Sequence, residues 1–473
     1  MKHYLKFLVL SFSFFILFNQ KLHCQAKEKS ILNNQKINGY KGIWFELNQK
    51  YPPYGDKYSG GLGTYTAKHI PLAIYRKEVE KTFFVYGGTT RPEDTHLLCM
   101  ISYYDHKRKV VPEPTVVFDK MGIDDPHDNP SLLIDQNGYL LVFVSGRGNS
   151  RPGYKLRSSK PYQIDFFEQV TEEEMTYPQP WYIDGMGMIH LFTKYTGVRE
   201  LYFETSLDGF HWTEDTKLAG IIAQGDSLGG HYQVSNRFEK KISTFFNRHP
   251  EGHPDKRTDL YYVQTKDFGK TWTTVDDRII TLPVTEVNHL SRVIDYHSKK
   301  KNVYVKDLNF DRSGNPICLY LTSGGHKPGP ENAPYEWRIT QWNGKEWHTS
   351  IVCVSDHNYD MGSLYIEKKQ WLVVAPTIGY PEPYATGGEI VFWKSLDKGK
   401  TWFQYKQVTK NSKRNNAYMR RPVNAKNPFY YFWADGDSYQ LSKSELYFGN
   451  SKGKIWKMPD EMKSPVADPE RIK

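Results

Sequence analysis

Cysteine is scarce. The chain has four, Cys24, Cys99, Cys318 and Cys353. They are widely separated, with no Cys-x-x-Cys pair, which excludes a disulfide framework and a cysteine zinc motif. Long apolar runs are also missing. The longest, Phe7 to Phe18, has about a dozen residues, too few to cross a bilayer. No stretch with the period of an amphipathic helix rises above the strand signals. Acidic residues number 53 against 63 Lys and Arg, a net charge of +10. That imbalance favours an anionic partner: nucleic acid, anionic lipid or acidic polysaccharide. Charged residues make up 25% of the chain, enough apolar content remaining to exclude intrinsic disorder.

The short apolar run explains itself as a leader. Met1 to Lys6 is basic, the run from Phe7 to Phe18 follows, and Cys24-Gln25-Ala26 places small residues at the −3 and −1 positions. This is the pattern of a secretory signal peptide over 1–26, cleaved after Ala26. The expected product is secreted or periplasmic, 27–473, with no membrane span. Export sets nucleic acid aside as a partner.

What the chain has in abundance is aromatic: Trp 12, Tyr 34 and Phe 25 together reach 15%. Such residues favour strands. Repeats come next. Thr265 to Trp272 and Ser395 to Trp402 share the pattern [ST]-x-D-x-G-x-T-W; Ser206 to Trp212 is one residue shorter, and Thr340 to Trp347 is degenerate. In each, Asp or Asn caps its own turn, Gly supplies a positive φ and Trp staples the turn to a sheet. Four copies resemble the Asp-box of BNR-type β-propellers. Asp208, Asp267 and Asp397 are therefore read as structural, at the periphery.

A second repeat opens seven strands: Lys68-His69, His127, Thr176-Tyr177, His231-Tyr232 through Asn236-Arg237, Lys306-Asp307, His357 to Tyr359, and Tyr418 to Arg421, spaced by roughly 50 to 75 residues. One four-stranded blade needs about that length. The expectation is all-β, a single seven-bladed propeller of four-stranded antiparallel blades. In such a ring the first strand of each blade begins on the face where the second ends. Pairing those positions gives His127 with Arg147, Tyr177 with Lys194, and His231/Tyr232 with Arg248/His249. Later blades add Asp307/Asn309 with His326, His357/Tyr359 with Thr377, and Tyr418/Arg420 with Asp435. A pocket of His, Tyr, Arg and Lys without a clear carboxylate pair suits proton abstraction at C5 of a uronate. Cations neutralise the sugar carboxylate while His or Tyr moves the protons.

Here the chain resembles a known group, the secreted BNR-repeat propellers that include ulvan lyases. The resemblance is carried by residues 40–460, above all Asp125 to Phe143, Ser145-Gly146-Arg147 and Thr176-Tyr177-Pro178. It implies that His127 and Tyr177 are catalytic, transferring protons. It implies that Tyr232 and cations bind or neutralise the uronate. Two positions depart from the group: Arg147 stands where a second His is found, and Lys194 where an Arg is found. The substrate contacts expected are Arg147, Lys194, His231, Tyr232, Arg237, His357 and Tyr359. The leaving group is the glycosidic oxygen in a lyase, or water in a dehydratase acting on a chain end. The reaction needs no cofactor and the site no metal; a structural ion elsewhere is compatible. The expected partner is an ulvan-type anionic polysaccharide or oligosaccharide, bound by a monomer.

Two other readings stay open. A glycoside hydrolase of the sialidase or rhamnosidase-like kind shares the fold, but the Arg-Ile-Pro motif of sialidases is absent. Asp124, Asp125 and Glu389 show no clear carboxylate pairing. A non-catalytic carbohydrate-binding propeller would repeat one pocket in several blades, whereas the charged residues here differ from blade to blade.

Overall fold

The computed structural model describes residues 31–46, 49–57, 59–61, 68–91, 96–123, 125–196 and 198–472. The leader, its cleavage point, Cys24 and Asp124 lie outside them. Seven antiparallel sheets of four to six strands form blades around one axis, with two smaller sheets of three and two strands beside them among the described residues. The innermost strands of the blades are Ala73–Arg76, Pro130–Ile134, Thr176–Ile183, Gln233–Phe238, Asn302–Phe310, Ser363–Ile366 and Asn415–Arg420. We number the blades one to seven in that order.

Burial falls off from the axis outward. In blade two, Pro130–Ile134 and Leu140–Val144 are buried at every position, while the outermost strand Phe167–Glu173 buries only its first residue. A strand covered on both faces by neighbouring blades reads as a continuous apolar run. That is why Leu140-Leu-Val-Phe-Val144 shows no alternation.

The Asp-box turns join third and fourth strands. In blade four, Gly269 N–H donates to Thr265 Oγ1 at 2.9 Å, and Thr271 N–H and Oγ1–H donate to the two Asp267 oxygens at 2.9 and 2.7 Å. Ser395, Asp397 and Thr401 repeat this in blade six. The closing Trp272 is 1% exposed and lies 5.2 Å from Phe203 of blade three, ring centre to ring centre. Trp272→Ala is expected to destabilise the fold by about 3–5 kcal/mol, as for other large-to-small core changes, read from the urea midpoint.

Side-chain amides stitch the inner strands together around the axis. Gln179 Nε2 donates to the Lys68 and Gln233 carbonyls, Asn236 Nδ2 to that of Leu308 at 2.7 Å, and Asn309 Nδ2 to that of Leu364 at 2.8 Å. Blades seven and one close through backbone, Val423 N–H to Ala73 O and Tyr75 N–H to Val423 O.

Candidate active site

The site lies at the axial face where the inner strands begin. A 3-10 turn, Pro126–Asp128, precedes the inner strand of blade two and carries His127. Asp125 Oδ1 accepts from the His127 backbone N–H at 2.9 Å and faces its Nδ1 at 2.5 Å. A carboxylate only accepts, so Nδ1 holds the proton and Nε2 is the nitrogen with the lone pair. Asp125 Oδ2 accepts from Arg147 at 2.9 Å and Arg151 at 2.8 Å. Burial opposes its charge, but His127 and then Arg151 hold its carboxyl far below the usual range.

Tyr177 follows in blade three. Its φ is 55°, within a break of register between Thr176 and Gln179. A bulky residue in that region costs on the order of 1–3 kcal/mol and marks positions the surroundings enforce. The bulge aims the ring at the axis. Its centre lies 5.8 Å from that of His127, 5.7 Å from Tyr232 and 5.5 Å from His69. His69 sits beneath, with Nε2 donating to the His127 carbonyl at 3.0 Å; burial lowers its pKa to about 3, so it stays neutral.

Tyr232 is enclosed by cations. Arg257 lies 4.6 Å and Arg199 5.8 Å from its ring centre. Burial pushes the phenol up, but Arg199, Arg257, a hydrogen bond with Tyr177 and Lys57 together bring it below the ordinary tyrosine value. Arg199 also stands 5.0 Å from the ring centre of Tyr195, and Arg147 6.0 Å from it. Arg199 Nε is buried without a hydrogen-bond partner among the described residues. Both ring nitrogens of His249, 4.7 Å from Tyr232, are likewise unpartnered.

The structure thus groups His127, Tyr177, Tyr232 and Arg147, sets Tyr359 beside them through Arg257, and places Lys194, His231, Arg237 and His357 elsewhere. Lys194 ion-pairs with Asp215 and lies over Tyr202, on the face of its strand away from Tyr177. Its alanine variant is expected to change kcat/KM less than about fivefold, the ceiling for an ion pair worth at most ~1 kcal/mol, in steady-state assays. His231 is fully buried: Nε2 accepts from Ile221 N–H at 2.9 Å and Nδ1 donates to Asn247 O at 2.8 Å. Burial lowers its pKa to about 4, and with both nitrogens engaged it is a structural pin. Arg237 lies at the opposite mouth of the axis, donating to Tyr182 O at 2.5 Å and lining a cavity of about 160 Å³ with Asn309 and Arg421. His357 is 1% exposed and holds the backbone of Lys57. Tyr359 forms part of a wall with Arg257 and Asp255.

Arg199, Tyr195 and Arg257 were not legible as site residues. Arg199 opens a third strand, Arg199–Ser206, and Arg257 precedes one, Thr258–Thr265. The pairing of first and second strands does not reach these two, whereas Tyr195 ends the second strand Gly187–Tyr195, one residue beyond Lys194. One carboxylate cluster has ligand-like spacing, Glu173, Glu204 and Asp215 between blades two and three. Lys155 already ion-pairs there with Glu173 and, at 2.7 Å, with Glu204, so an ammonium stands where a metal would.

A family model described as BNR repeat-containing family member matches residues 99–353, more than half of the chain. The chain belongs to this BNR repeat-containing family. Among curated relatives, the "Ulvan Lyase-PL25" of Pseudoalteromonas sp. (strain PLSV) is 22% identical over 317 residues, covering 60% of this chain and 63% of that protein. This BNR-family chain therefore matches less than two thirds of that relative's length. An ulvan lyase of Nonlabens ulvanivorans is 24% identical over 386 residues, 72% of this chain and 76% of its own. The solved PL25 ulvan lyase bound to -[GlcA(1-4)Rha3S]- superposes with a TM-score of 0.67 at 16% identity, covering 89% of this chain and 96% of that one. That likeness establishes the shared propeller of this BNR-family member.

Proposed function

We propose that the protein is a carbon–oxygen lyase acting on the uronate of an ulvan-type polysaccharide or its oligosaccharides. The observation that carries this is the contiguous row His127, Tyr177, Tyr232 flanked by the guanidiniums of Arg147 and Arg199. The relatives named as ulvan lyases support the substrate class. Export, expected from residues 1–26, accords with a polymeric substrate.

In the reaction, Arg147 and Arg199 neutralise the sugar carboxylate, so that charge developing next to it is stabilised. His127 Nε2 takes the proton as the C5–H bond breaks, and Asp125 stabilises the resulting imidazolium. The electron pair forms the C4–C5 double bond and expels O4. Tyr177 protonates that oxygen. Tyr232, hydrogen-bonded to Tyr177, is brought below the ordinary tyrosine value by Arg199 and Arg257, so it holds a donor beside the acid. The leaving group is the next sugar, or water at a chain end.

Among the described residues, the two carboxylates weighed for hydrolysis, Asp125 and Glu389, are engaged elsewhere. Asp125 is committed to His127, Arg147 and Arg151, and Glu389 accepts from Ser412 at 2.8 Å through both oxygens. A glycosidase needs two carboxyls across one bond. The test incubates purified protein with ulvan and with saturated ulvan oligosaccharides, following ultraviolet absorbance and product mass. Shortened unsaturated products are expected of a lyase, and loss of one water without shortening of a dehydratase. Shortened saturated products overturn the proposal in favour of hydrolysis. No change overturns it in favour of binding.

A further inference from the structure

Among the described residues, the site's exposure to solvent is uneven. Towards blades two and three, Arg147, Tyr195 and Arg199 are half-buried and reach solvent. Towards blades four to six, Arg257, Tyr304 and Tyr359 are 7% exposed or less. On that side the described segment 49–57, which follows the strand Gly42–Glu46 in the chain, makes contacts with blades four to seven.

The segment is fastened at each blade it crosses. Lys57 Nζ pairs with Asp255 of blade four at 2.9 Å, an ion pair nearly closed to solvent. The Tyr51 hydroxyl stands 3.5 Å from His326 Nε2 of blade five. His357 Nε2 of blade six donates to the Lys57 carbonyl at 3.2 Å. Tyr54 meets Tyr384 edge-on at 5.2 Å. Gly55, with φ 74°, lies so close to Tyr439 of blade seven that a Cβ would stand 2.8 Å from its ring. A chain passing here would have to break these contacts together. The end of the segment also meets the chemistry, because the Lys57 charge is one of those that lower the Tyr232 phenol.

A polymer seated on His127 and Tyr177 can leave over blades two and three. It cannot continue over blades four to seven without displacing these contacts. We infer that the cleft is one-ended: the segment 49–57, pinned by Lys57 and Asp255, determines that the site takes the terminal sugar of an anionic chain and not an internal one. Lys57 and Arg257 form the end wall. This rests on the substrate class proposed above.

The test separates the two. His127→Ala protein is titrated with ulvan oligosaccharides and with long ulvan at equal sugar concentration, by calorimetry. With a one-ended cleft, occupancy falls in proportion to chain length, because ends become rarer by that factor. Occupancy independent of length overturns the inference and leaves the substrate class standing. No binding at any length overturns both. The active protein gives a second reading on long ulvan. The expected result is that double bonds accumulate while viscosity stays nearly constant. An early collapse of viscosity marks cleavage within chains and overturns the one-ended cleft.

Discussion

His127→Ala is expected to lower kcat by about a hundred- to ten-thousand-fold, the range contributed by a positioned acid or base. The measurement is initial rate of unsaturated product at saturating oligosaccharide. The cause is specific to the ring. Asp125 fixes its tautomer through Nδ1, and the Tyr177 ring packs beside it, 5.8 Å centre to centre. Because Arg147 and Arg151 remain on Asp125, the loop around it keeps its salt bridges and the substrate keeps a cation. KM is therefore expected to move little while kcat collapses, which identifies an interaction made in the transition state. A variant with full rate sinks the assignment.

Arg199→Ala carries the second large effect, a fall in kcat/KM of about a hundred- to a thousand-fold, as for loss of one preorganised charge stabiliser. Arg199→Lys is expected to recover part of it, since charge returns without the planar fork. The pH profile gives a sharper check. Arg199 is the largest influence bringing Tyr232 below its ordinary value. Tyr177 is the acid and shares a hydrogen bond with Tyr232, so the phenol pair serves while protonated and activity falls as pH rises through the pair's titration. Removing Arg199 raises the Tyr232 pKa, and the alkaline limb is expected to move to higher pH. A shift of the acidic limb instead would make Tyr232 the base. Lys194→Ala is the contrast, with neither the loss nor the shift.

The difference between Lys194 and Arg199 shows where a linear reading stops. Side chains alternate across a strand, so a shift of one residue exchanges faces. Thr176 pairs with Thr193, and the bulge at Tyr177 absorbs the next positions. Tyr195 therefore reaches the axis while Lys194 turns to Asp215. Nothing in Phe192-Thr-Lys194-Tyr195 announces that bulge. His231 and Tyr232 divide in the same way. Both open a blade, but two backbone hydrogen bonds draw His231 inward and leave Tyr232 among the cations. Arg237 lies five residues farther along that run, which at about 3.3 Å each places it at the other mouth.

Local chemistry was enough for the turns and the ring. Asp, Gly and Trp at fixed offsets close an Asp-box by hydrogen bonds within a few residues, and seven similar strand openings count the blades. His127, Tyr177 and Arg147 were legible because each stands beside a strand end whose place in a propeller follows from connectivity. The enclosing cations, Arg199 and Arg257, and the wall at Lys57 were not. They come from third strands and from a segment far away in the chain, and they meet Tyr232 only once the ring has closed. The sequence by itself determined which face gathers His127, Tyr177 and Arg147. Which charges stand around the site, and on which side it opens, was decided by long-range packing, because those distances depend on strand register and blade closure and on no neighbouring residue.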